Sequence, residues 1–248
     1  MAKIKFYPFS KETQAMSPAP TPASKNIPEW YKQQPAYGTS DEEQMLKTGG
    51  SASTVKRCMP IFDIITSGYI IYIPCDIYVD ATDPNKLKWS VPSFASQVKR
   101  ELVSSHAPEQ VSHYPLNEKQ YHKEIFRIMP FWSVGTEKGY STLFTHPFHS
   151  DELPFRTFGG IVDTDKFITD GHFSIQLEKG FKGVLERGTP LVQVIPFKRD
   201  NYSMELVDVE ESNKTLLSQR LLIRSKFKNF YRNNMRVAKD YKWVKIKN

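Results

Sequence analysis

His149 and Asp151 stand one residue apart, and an imidazole and a carboxylate at that spacing can occupy one face of an iron ion. In 2-oxoglutarate-dependent oxygenation the third ligand is a distant histidine, for which His172 is the candidate, and Arg199 would anchor the co-substrate carboxylate. Asp163 and Asp165 offer a second chemistry, as a water-activating carboxylate or as magnesium ligands. Each set also has an ordinary reading. His149 lies in a proline-bounded loop and reads as a solvated histidine, the two aspartates read as turn caps, and Arg199 as the partner of an acidic neighbour.

Other chemistries find no support. No GxSxG nucleophile elbow, GxxxxGK[ST] loop or GxGxxG loop occurs. Cys58 and Cys75 are far apart and have no CxxC partner, so they read as buried free thiols of a reducing compartment. No cofactor is named by any motif.

The charge is unevenly placed. The chain carries 34 Lys and Arg against 27 Asp and Glu, a net of +7. From Ser212 onward there are eleven basic residues and one acidic residue, leaving 23 basic against 26 acidic, a net of −3, in positions 1–211. The basic stretch is expected to be an amphipathic helix capped by Ser212, with an apolar stripe from Leu216 to Met235. Arg220, Arg224, Lys228, Arg232, Arg236 and Lys239 occupy its other faces. Three uses are open: contact with nucleic acid through phosphate neutralisation, docking on an acidic partner, or a solvated face over a stripe packed on the body.

The elements that must position these residues are mostly strands. Seventeen prolines and twelve glycines argue for rigid turns and against a helical bundle. Residues 1–10 suit a short strand, and Ser17–Pro22 should run extended. Gly68–Pro74 reads as a buried strand, and Asp76–Asp80 with Leu87–Trp89 as a hairpin. Ile125–Ile128 and Phe131–Val134 read as one strand interrupted at Pro130. Further strands follow at 140–145, 160–163, 172–177, 184–186 and 191–197, while 93–123 resists assignment and 38–54 reads as an exposed loop.

The expected fold is mainly β (α+β): an antiparallel β-sandwich or jelly-roll/β-clip-like barrel with a basic C-terminal helix. Its organisation is an extended Pro-rich arm and loop at 1–55, a β-sandwich domain at 56–211 and the helix and tail at 212–248. No apolar run approaches the roughly 18–20 residues of a membrane span, and the start lacks a secretory stretch, so a soluble intracellular protein is expected.

Two resemblances add to this. Pro130-Phe131-Trp132, Gly139-Tyr140-Ser141, Phe144-Thr145-His146-Pro147, Leu153-Pro154-Phe155, Gly160 to Asp165, His172-Phe173 and Gly188 to Arg199 resemble a family of uncharacterised proteins of tailed, notably marine, bacteriophages and some bacteria. Ile27–Tyr31 and Cys58–Asp63 also resemble its phage members. The resemblance implies a phage origin and no particular activity. Separately, Gly188–Ile195 resembles the closing strand of dUTPase-like β-clip proteins, with Gln193 as the inward glutamine, although no serine-rich phosphate loop accompanies it.

The leading expectation is therefore a non-enzymatic virion or assembly component acting through contacts with other phage or host proteins or with itself. It would be found in the host cytoplasm during infection and in the virion. The alternatives are a β-barrel enzyme, either a metal-dependent nucleotide hydrolase or an iron-dependent oxygenase, and a nucleic-acid-associated accessory protein using the C-terminal helix.

Overall fold

The computed structural model describes residues 2–38, 53–98, 101–168, 171–224 and 231–242. The loop expected at 38–54 lies almost wholly outside them. Fourteen strands form four antiparallel sheets among the described residues, giving a β-sandwich-like α+β fold without a closed barrel. The chain divides into two units, Met1–Arg199 with Tyr241–Asn248, and Asp200–Asp240.

In the first unit, strand β1 (Ile4–Pro8) pairs with β8 (Trp132–Thr136). A five-stranded sheet has the order β11 (Gly160–Val162), β9 (Tyr140–Thr145), β14 (Pro190–Lys198), β3 (Tyr69–Tyr72) and β2 (Thr21–Pro22). A four-stranded sheet runs β10 (Phe155–Thr157), β12 (Phe173–Leu177), β7 (Phe126–Ile128) and β6 (Val103–Ser105). The fourth joins β13 (Lys182–Leu185), β4 (Ile77–Asp80) and β5 (Lys88–Ser90). The N-terminal residues thus supply strands to two sheets. Helix α1 (Lys11–Met16) follows β1, and the Ser17 hydroxyl at its end donates to the Pro130 carbonyl and accepts from the Trp132 indole, both at 3.2 Å.

Sequence chemistry explains the strands that were expected. All four β3 residues are buried, in keeping with their β-branched and aromatic content. The strand is entered at Gly68, whose φ is +71° and where a Cβ would sit 2.0 Å from the Val194 carbonyl oxygen, so only glycine fits. In β4, Ile77 and Val79 are buried while Tyr78 faces outward, and Val79 lies opposite Trp89, as the hairpin reading requires. The Asp83 carboxylate accepts from Asn85 N at 2.9 Å and closes the turn.

Several expectations are corrected. The segment 125–134 is not one strand: β7 and β8 belong to different sheets, and the chain turns at Phe131, which has φ +62° and is buried. Cys58–Asp63 enters helix α3 (Met59–Thr66), with Pro60 in its first turn, where a missing N–H costs nothing. Short helix α2 (Glu29–Gln33) carries Trp30 and the buried Tyr31. Cys75 is buried as expected, whereas Cys58 is only half-buried, and both are free thiols.

The core of the first unit has two main parts. The larger gathers Ile73, Ile77, Phe126, Ile128, Phe155, Ile175 and Leu177; the other gathers Tyr69, Ile71, Val134, Phe144, Val192 and Val194. Phe173 packs against both. Tyr241 returns to the second cluster, its ring 5.8 Å from that of Tyr69.

The second unit contains helix α4 (Val209–Arg224). Its cap is Asp208 and not Ser212: the Asp208 carboxylate accepts from Glu211 N at 2.8 Å, and Ser212 N already donates to the Asp208 carbonyl at 3.0 Å. A π-helical turn spans Tyr231–Met235. No helix among the described residues is long and apolar enough to cross a membrane.

Candidate functional site

The structure brings together three of the residues expected to do chemistry. The turn Glu137–Gly139 between β8 and β9, the turn after β11 and the end of β14 meet at Arg199. Its backbone N–H donates to the Gly139 carbonyl at 2.8 Å. Its guanidinium grips Asp165 with both terminal nitrogens, Nη1 donating to Oδ1 at 2.8 Å and Nη2 to Oδ2. Gly139 N also donates to Asp165 Oδ2, at 2.8 Å. Asp163 is held differently: Ser141 Oγ donates to its Oδ1 at 2.6 Å, and Arg199 Nη1 lies 3.2 Å away. Between the aspartates, buried Thr164 exchanges hydroxyl contacts with Thr136 at 2.8 Å and Thr142 at 2.7 Å.

Electrostatics follow the geometry. The Arg199 guanidinium, then the Gly139 amide, hold the Asp165 carboxyl far below the usual carboxylate range. The Ser141 hydroxyl, with Arg199 beside it, lowers Asp163 as well. A general base works best with an affinity for protons near neutral pH, and these carboxylates are shifted the opposite way. The Asp165 side chain is 3% exposed and its oxygens are engaged, so the cluster is a clasp that ties three loops. Arg199 does pair with acidic neighbours, through Asp165 and Asp163.

The other candidates lie apart from this clasp. His149 has φ +57°, its carbonyl accepts from the Trp30 indole at 2.7 Å, and its ring lies 6.3 Å from that of Trp30. Asp151 is exposed in the same loop, and His172 is exposed just before β12. Among the described residues no three His, Cys, Asp or Glu side chains are grouped to hold a metal ion. Nearby His146 is half-buried; burial pushes its imidazole below the ordinary value, and it accepts from Thr157 N at 3.2 Å.

In the second unit, Arg220 and Arg224 lie in α4, and Lys228 is outside the described residues. Arg232 and Lys239 are exposed and Arg236 is half-buried. Leu217 and Leu221 of the expected apolar stripe are exposed, as are Tyr202, Met204, Leu206 and Val237.

One feature escaped the sequence reading. A cleft of about 240 Å³ opens where the chain crosses from β10 to β11, lined mainly by Trp132, Val134, Phe144, Phe158, Val162, Phe167 and Phe173, with His172 and Ser174 at its polar side. Its apolar lining continues outward at Phe167, which is 61% exposed, while Ile161 of β11, 64% exposed, projects on the face of the strand opposite Gly160 and Val162. Strand β11 is terminal in its sheet among the described residues, so one row of its backbone groups has no strand beside it. The available signal was Ile161 next to Gly160, and the apolar pair Phe167-Ile168 inside a polar turn.

Neither a protein-family model nor a curated protein sequence matches the chain. Among solved structures it is similar to a mutant dUTPase of Staphylococcus bacteriophage 80alpha with dUpNHpp, at 8% identity, over 83% of this chain and 88% of that one, with a TM-score of 0.35. A likeness at that level carries no argument about what the chain does.

Proposed function

We propose that this protein acts by binding another protein, as a component of a bacteriophage particle or of its assembly, present in the host cytoplasm during infection and then in the virion. The observation that carries the reading is the apolar cleft beside the terminal strand β11, with Phe167 exposed on its rim and Ile161 exposed on the other face of the strand. An extended segment of a partner, apolar at alternate positions, would add a strand to β11 and set side chains in the cleft. The backbone row supplies hydrogen bonds, and Trp132, Phe144 and Phe173 supply apolar area. The phage assignment rests on the sequence motifs described above. The clasp at Arg199 supports the same reading, because it commits Asp165 to holding loops and leaves it no role toward a substrate.

Quantitative mass spectrometry of purified particles tests the proposal. The protein is expected at the copy number of a structural component. Its absence from particles and from assembly intermediates overturns the reading.

A further inference from the structure

Two polar side-chain atoms among the described residues are buried with no hydrogen-bond partner: Ser104 Oγ and Arg127 Nε. They are neighbours. Ser104 of β6 is the register partner of Arg127 in β7, and the partner of Arg127 on its other side is Ser174 of β12. Residues in register share one face of a sheet. Val103, Phe126, Ile128 and Ile175, which flank them in sequence, all belong to the larger core cluster. Strand alternation therefore puts Ser104, Arg127 and Ser174 in one row on the opposite face.

That face is covered and yet polar. Ser104 is 6% exposed, and Arg127 is half-buried. Arg127 Nη2 donates to the Ser105 carbonyl at 3.2 Å, but no carboxylate among the described residues pairs with the guanidinium. Ser174 Oγ lies 2.8 Å from His106 Nε2, and His106 Nδ1 lies 3.2 Å from Gln110 Oε1. The Gln110 oxygen also accepts from Ala107 N at 3.0 Å, which fixes it as the acceptor and keeps a proton on His106 Nδ1.

A half-buried cation without an anion and a buried hydroxyl without a partner are each unfavourable. One oxyanion lying on the row relieves both. We infer that this row is a binding site for a small oxyanion, a phosphate or a carboxylate group. Arg127 supplies the charge and its Nε–H and Ser104 donates its hydroxyl proton, while Ser174, whose own proton goes to His106 Nε2, bounds the row. A guanidinium fork suits the oxygens of either group. The row adjoins the cleft at Ser174 and uses none of the residues that β11 presents.

Inorganic phosphate and acetate, titrated separately into the full-length protein at constant ionic strength, test the inference. The Arg127 Nε–H resonance is followed by NMR in the wild type, and affinity is compared with Arg127→Gln and Ser104→Ala. A saturable shift with phosphate, acetate or both is expected, and the two arms tell which group the site takes. Affinity should fall at least tenfold in Arg127→Gln and several-fold in Ser104→Ala, the milder change that keeps the test usable if the first variant does not fold. No saturable shift with either anion, or undiminished affinity in the folded variants, overturns it.

Discussion

Asp165 and Arg199 lie 34 positions apart, yet the guanidinium donates to both oxygens of the carboxylate, and the Asp165 side chain is almost fully enclosed. This pair determines how the chain after β14 is held against the turns that follow β8 and β11. It also engages both oxygens of one of the two carboxylates that were candidates to activate water.

The pair sets a pH dependence. The folded-state proton affinity of Asp165 is depressed, so between its folded value and an ordinary unfolded value of about 3.9 the unfolded chain binds more protons. Its contribution to stability is therefore fully present above about pH 5 and is lost as pH falls further. Thermal melts from pH 7 to pH 3 should show this acid limb in the wild type, and a shallower limb in Asp165→Asn, which should already melt several degrees lower at pH 7.

Gln193 fastens β14 to two neighbouring segments. Its Nε2 donates to the carbonyls of Ile64 at 2.9 Å and Ser67 at 2.6 Å, and its Oε1 accepts from Phe148 N at 3.0 Å, all with the side chain buried. Gln193→Leu keeps the size and strands these backbone groups, so it should cost about 2–4 kcal/mol in urea melts.

Gly68→Ala meets both a positive φ and the Val194 carbonyl. We expect a loss of about 3 kcal/mol or more, or insoluble expression, since neither β3 nor β14 can retreat from its neighbours in the sheet. Gly139→Ala, also at positive φ but with open space around it, should be much milder in the same assay.

The thiols should differ in reactivity. Burial, with Asp76 adding to it, pushes the Cys75 thiol up to about 11, so little thiolate forms at pH 8. Ellman titration of the native protein should modify Cys58 first and Cys75 only on unfolding.

How much of this the sequence disclosed depended on whether local chemistry or tertiary contact made the decision. Buried β3 and the β4–β5 hairpin were legible because their alternation and Asp83 turn are local. The break between β7 and β8 was not: Pro130 marked an interruption, but the change of sheet depends on Phe131 being buried at positive φ. Helix α3 was hidden because eight mostly apolar residues do not reveal a period. The start of α4 was misplaced because Asp208 and Ser212 are both good caps, and the hydrogen bonds chose Asp208. In the candidate site, Asp163, Asp165 and Arg199 stood out by residue type as carboxylates and a cation able to do chemistry. That they serve one another became visible only when three turns met. The cleft was invisible because it is made where strands of three sheets adjoin.

Phe167 lines that cleft and stands exposed at its rim. Since most of the side chain is exposed, Phe167→Glu should leave stability within about 1 kcal/mol of the wild type. The decisive measurement is the amount of each protein in purified particles from matched infections, determined by quantitative mass spectrometry. We expect the wild type at structural copy number and the folded variant reduced at least tenfold. A wild type absent from particles and from assembly intermediates, or a variant incorporated as well as the wild type, would contradict the account.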